Sequence, residues 1–155
     1  MMIEMKKILY PTDFSEYAKN ALPYVVEMAK QFNAKVCLVH VIATPQYYPY
    51  FSEAAIPTVA VQTEMHGWAE QRLKQIADEI AENEIEVETI LADGSAFVEI
   101  VAVARREDVD LIIMATHGWG TIKHLLIGGT AEKVVRKAPC PVLTVKHPQH
   151  EFVVP

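Results

Sequence analysis

The chain has 155 residues, 51% of them hydrophobic, a length and composition that suit one compact domain (1–155) with a sizeable core and leave little for a second. Fourteen Lys and Arg against 20 Asp and Glu give a formal net charge of -6, which excludes a broad basic surface for nucleic acid. It does not exclude a single nucleotide, whose phosphates backbone dipoles and a few cations can hold.

Residues 1–9 show no signal-peptide pattern, and no apolar run approaches the roughly 20 residues of a bilayer span, so a cytoplasmic protein without membrane contact is expected. Residues 7–11 read as a short strand. Residues 15–32 read as a helix with Ala18, Leu22, Val25, Ala29 and Phe32 on one face, kinked at Pro23. Residues 35–42 are continuous enough in Val, Leu and Ile to be a central strand that encloses Cys37. The segment 43–57 is irregular, with Pro45, Pro49 and Pro57 around Tyr47, Tyr48, Tyr50 and Phe51. Its aromatics either pack onto their own domain or form a lid or partner surface.

Residues 62–82 carry Met65, Ala69, Leu73, Ile76 and Ile80 at helical spacing and form the longest predicted helix. Residues 85–91 alternate apolar positions with Glu86 and Glu88, the pattern of a half-exposed edge strand. A helix over 96–106, a buried strand over 110–115, a helix over 130–137 and a strand over 141–145 follow, and 147–155 is left as a tail. The resulting βαβαβαβαβ order implies an α/β protein with a doubly wound parallel sheet. Such sheets bind ligands beyond the carboxyl ends of their strands, where the strand order reverses.

One stretch carries chemistry. The apolar run Asp110-Leu111-Ile112-Ile113-Met114-Ala115 is followed by Thr116, His117 and Gly118, then nine residues, then Gly128-Gly129-Thr130 at a helix start. Glycines at that start let backbone N–H groups and the positive end of the helix dipole face an anion. Cys37 and Cys140 have no metal-ligand spacing, nor do His66, His147 and His150. No eight-residue Walker A pattern occurs.

Tyr10-Pro11-Thr12-Asp13-Phe14-Ser15 after the first strand, His40-Val41 closing the second, the Gly118 to Gly128 spacing before Ala131-Glu132-Lys133-Val134-Val135, and the ending Ala138-Pro139-Cys140-Pro141-Val142-Leu143-Thr144-Val145 together resemble the universal stress protein family. The resemblance covers nearly the whole chain. It implies a Rossmann-like five-stranded parallel sheet in the order 3-2-1-4-5 flanked by four helices, with the switch point between the strands ending at Pro11 and Ala115. It also implies a site for ATP, ADP or AMP.

By position in the family motif, Ala115, Gly118, Gly128 and Gly129 stand where nucleotide-binding members have Gly, Gly, Gly and Ser or Thr. Ala115 adds a methyl to that pattern. Gly129 removes a hydroxyl, a loss worth about 0.5–1.5 kcal/mol that Thr130 would offset in part. Pro11, Thr12 and Asp13 would border ribose and phosphates, with Asp13 on ribose hydroxyls or, through water, on a Mg²⁺ held by the phosphates. Asp13 is equally placed to be a helix N-cap. Val41 and Met114 would line the adenine. His117 would position backbone rather than act as a base, and Lys123 and His124 would meet phosphates or stay solvated. His40 is expected to be packed.

Three functions compete on these grounds: a nucleotide-dependent stress-response module with little turnover, a slow ATPase or adenine-nucleotide hydrolase using Asp13 and His117, and a nucleotide-free interaction module in which Gly129 marks a decayed site. Val142, Leu143, Thr144 and Val145 should lie at a sheet edge, where free backbone groups invite a homodimer, as the resemblance also implies.

Overall fold

Leucine, isoleucine and valine crowd the strand segments because most of them have helices on both sides. The computed structural model describes residues 3–43, 58–118 and 128–148. Its elements are β1 (Lys7–Pro11), α1 (Glu16–Lys19), α2 (Leu22–Phe32), β2 (Lys35–Ala43), α3 (Val59–Ala81), β3 (Val87–Gly94), α4 (Ala96–Arg106), β4 (Leu111–Ala115), α5 (Gly129–Lys137) and β5 (Val142–Val145). The five strands form one parallel sheet in the order β3-β2-β1-β4-β5. The chain therefore builds outward from β1 through β2 and β3, then crosses back to place β4 on the other side. That reversal puts the switch point between β1 and β4.

Successive residues of a strand face opposite sides of the sheet. On one side Ile8, Tyr10, Val36, Leu38 and Ile113 pack with Leu22, Val25 and Ala29 of α2 and Leu73 and Ile80 of α3. On the other, Leu9, Cys37, Val39, Ile112 and Met114 pack with Ile100, Val103 and Ala104 of α4 and Ala131 and Val134 of α5. Each fully buried Leu, Ile or Val side chain contributes about 1.5–3 kcal/mol, and β1 lies centrally in both layers.

The predicted helix over 15–32 is corrected: it is divided, not kinked. Asn20 and Ala21 turn between α1 and α2, and Pro23 stands in the first turn of α2, where a missing N–H breaks no helical bond. The four flanking helices thus stand, with the first in two pieces. β3 starts two residues later than expected and runs on to Gly94, because β2 keeps offering partners up to the pair Ala43 and Gly94. Both β3 and β5 are edge strands, as their patterns imply. Tyr47, Tyr48, Tyr50 and Phe51, Lys123 and His124, and His150 with the rest of the tail lie outside the described residues. Among those described, no helix is long and apolar enough to cross a membrane.

Candidate functional site

The loop after β1 is built by its own side chains. Thr12 donates its N–H to the Val39 carbonyl at 2.9 Å, and its carbonyl accepts from Nδ1 of His40 at 2.8 Å. That pairing fixes the His40 tautomer with the proton on Nδ1. Burial holds the His40 pKa below its ordinary 6.5, opposed by the Thr12 bond and the Asp13 charge. Phe14, at φ 63°, turns its ring onto His40 with centroids 4.1 Å apart and meets Trp68 of α3 edge-on at 5.2 Å.

The helix cap is Ser15, a correction to the Asp13 alternative. Ser15 Oγ accepts from the Ala18 N–H at 3.1 Å. Asp13 instead accepts at Oδ1 from the N–H of Ser15 at 2.9 Å and from the Ser15 hydroxyl. The left-handed turn at Phe14 moves the helix start two residues on.

Across the switch point, Thr116 is buried and ties three segments together. Its N–H donates to the Val145 carbonyl at 3.0 Å, its carbonyl accepts from the Gly128 N–H at 2.6 Å, and its Oγ1 lies 2.8 Å from Nδ1 of His117. The two loops meet at Gly118: a Cβ there would overlap the Asp13 carboxylate. Gly118 is required for space.

Gly128, at φ -68° and ψ 154°, is the N-cap of α5, and its N–H is committed to Thr116. The Gly128 amide therefore serves the loop, and the free first-turn amides lie beyond it. The amides of Gly129, Thr130 and Ala131 open the helix, where no preceding carbonyl of the same helix serves them. Among the described residues, a Cβ on Gly129 would meet nothing within 4 Å.

These parts surround one cavity of about 480 Å³. Pro11, Thr12, Asp13, Val41, Met114, Ala115, His117, Gly118, Gly128, Gly129 and Thr130 all line it, so the eleven predicted positions are brought together. Val39, Met114, Ala115 and Ile100 give it an apolar wall. Val39 faces β1 through its carbonyl, so the N–H and C=O of Val41, two residues on, face the same side past the last residue of β1.

Sequence reasoning missed Val39, Thr116, Ile100 and Lys133 as lining residues. Val39 was findable from the period of two before Val41, and Lys133 from its place one helical turn after Gly129. Lys133 is the one Lys or Arg on the cavity among the described residues, and its Nζ rests 4.9 Å from the centroid of the Phe97 ring.

His66 lies on α3 with Nε2 2.8 Å from Asp93 Oδ1, and His147 packs edge-on against Tyr17, away from each other. Among the described residues no group of three or more His, Cys, Asp or Glu is gathered to hold a metal. Burial pushes the thiols of Cys37 and Cys140 upward, away from the reactive thiolate.

A parallel sheet in this order with a cleft at its switch point defines a Rossmann-like α/β domain. The model of the universal stress protein family matches residues 4–146, and the chain belongs to that family. Universal stress protein MJ0577 of Methanocaldococcus jannaschii is 35% identical over 158 residues, spanning 94% of this chain and 98% of the relative. A solved structure of protein MJ0577 matches with a TM-score of 0.82 at 34% identity, covering 95% of this chain and 99% of that one. A universal stress protein solved in complex with cAMP matches at TM-score 0.70 and 19% identity, covering 93% and 98% of the two chains. One from Archaeoglobus fulgidus, in complex with dAMP, matches at 0.64 and 22%, covering 92% and 98%. At those identities these last two share the fold.

Proposed function

We propose that the switch-point cleft binds an adenine nucleotide, ATP, ADP or AMP, and that the protein acts in the cytoplasm as a nucleotide-dependent stress-response module with little or no turnover. One observation carries this reading: first-turn amides and apolar strand ends line a single cavity of about 480 Å³. That volume falls within the ~300–1,000 Å³ of small-molecule sites. The amides of Gly129, Thr130 and Ala131 suit phosphates. Val39, Val41 and Met114 suit a base, and the outward backbone pair of Val41 offers its polar edge one donor and one acceptor. Asp13, between these ends, suits ribose hydroxyls. Two proteins of the same fold hold cAMP and dAMP.

We infer little or no turnover, with Asp13 and His117 serving as tethers within their loops. Asp13 Oδ1 accepts twice from Ser15, and Nδ1 of His117 is paired with Thr116 Oγ1. A Mg²⁺ entering with the phosphates would be held by their oxygens and water, with Asp13 at most an outer contact. The edge position of β5 supports a homodimer along Val142, Leu143, Thr144 and Val145.

Calorimetric titration with ATP, ADP and AMP tests the reading. Saturable binding of at least one is expected, and no heat from any at millimolar concentration, with the protein folded, would overturn it. Phosphate release above the level of an Asp13→Ala, His117→Ala double variant would replace the module by a slow hydrolase.

A further inference from the structure

We infer that Lys133 is a phosphate-binding cation of the cleft, admitted to that role by the missing side chain at Gly129. This rests on the nucleotide reading of the cavity and adds a ligand group that the glycine pattern does not contain. Lys133 follows Gly129 by four residues on α5, so the two lie on one face of the helix. Helical side chains lean toward the N-terminus of their own helix, over the residue four before them. For Lys133 that surface is Gly129, where the position of a Cβ meets no atom of the described residues within 4 Å. The lysine stem therefore has a clear path along the helix to the first-turn amides, one turn away or about 5.4 Å along the axis.

Among the described residues its charge is paired with no carboxylate. Its neighbours Glu132 and Arg136 pair with each other at 3.1 Å, whereas Lys133 rests on the face of Phe97, which α4 holds beside the cleft. A solvent-exposed ammonium on a ring is held weakly, and a charge-assisted bond to a phosphate oxygen is the stronger contact. Phe97 thus parks the ammonium at the edge of the cavity until phosphate arrives. A serine or threonine at 129 would fill the path, so the hydroxyl and the lysine are alternative solutions to one need.

The test is a thermodynamic cycle on the intact chain, titrated with ATP and, in parallel, with adenosine. Lys133→Gln should weaken ATP about tenfold and leave adenosine within about twofold, with Lys133→Arg restoring ATP to within about threefold of the parent. In a Gly129→Ser background the same Lys133→Gln change should weaken ATP by no more than about twofold. Melting curves of the variants should coincide with their parents, because Lys133 is exposed. Equal losses for ATP and adenosine, or an unchanged ATP affinity in Lys133→Gln, would overturn the role of Lys133 while leaving the cleft reading intact. A tenfold loss that persists undiminished in the Gly129→Ser background would overturn its dependence on Gly129. A parent protein that binds neither probe would remove the cleft reading itself.

Discussion

Two glycines of the cleft have opposite requirements. A methyl at 118 would enter the space of the Asp13 carboxylate, so Gly118→Ala must push the two loops apart. It should lower stability by about 1–3 kcal/mol and weaken nucleotide binding more than adenosine binding, as read from urea midpoints and calorimetry. Gly129 has room among the described residues, but a serine there would exchange the Lys133 contact for a hydroxyl, so Gly129→Ser should leave ATP affinity within about threefold while firming the first turn of α5. His40 supplies a pH dependence. Its folded-state pKa is lowered, chiefly by burial, so the unfolded chain takes up the proton first and stability falls as pH drops below about 6.5 toward the folded value. Asparagine keeps an N–H for the Thr12 carbonyl and cannot titrate. His40→Asn should therefore flatten the change in urea midpoint between about pH 7.5 and about pH 5.5, and an unchanged slope would assign the dependence elsewhere.

The start of α1 turns on a short cap. Ser15 is buried, caps Ala18 and donates to Asp13, so Ser15→Ala should cost about 1–2 kcal/mol in chemical denaturation, with no loss of cooperativity. The sequence offers three cap-type residues before the helix, Thr12, Asp13 and Ser15, and periodicity alone does not choose between them. What decides is the left-handed backbone at Phe14, which a large aromatic residue does not advertise. Pro23 is a similar case. A proline inside an apolar helical pattern is compatible with a kink or with a fresh start, and the choice lies in whether Asn20 and Ala21 keep helical bonds onward. Lys133 was hidden for another reason: a charged residue on an exposed face looks like solvated surface until the element beside it, α4, is in place.

The topology was the most legible level, because alternating buried strands and amphipathic helices leave a doubly wound sheet as the arrangement that covers every apolar face, and the family resemblance then orders the strands. The cleft was legible for the same reason: its members sit at the carboxyl ends of β1, β2 and β4, in the loops that follow β1 and β4, and at the start of α5, which the switch point brings together. Its depth was not, since Val39 and Ile100 reach it from different elements. At this scale the testable claim is assembly. Pro141 and Val145 turn their carbonyls to β4, so Val142 and Thr144 turn their backbone groups outward. Thr144→Pro removes an outward N–H and spares the β4 ladder. Light scattering should report a dimer for the parent and a monomer for this variant, at an unchanged far-ultraviolet spectrum; a monomeric parent at high concentration with nucleotide would sink the claim.

Thr116 gives the assembly a further meaning. The last carbonyl of β5 holds the Thr116 amide, and the Thr116 carbonyl holds the amide of Gly128, so the outer strand and the mouth of the cleft stand two hydrogen bonds apart. Linked equilibria are reciprocal. A second chain that stiffens β5 would tighten the grip on nucleotide, and nucleotide would tighten the pair by the same factor. The abundance of the protein itself would then act as an input, with a scarce chain releasing its nucleotide and an accumulated one retaining it.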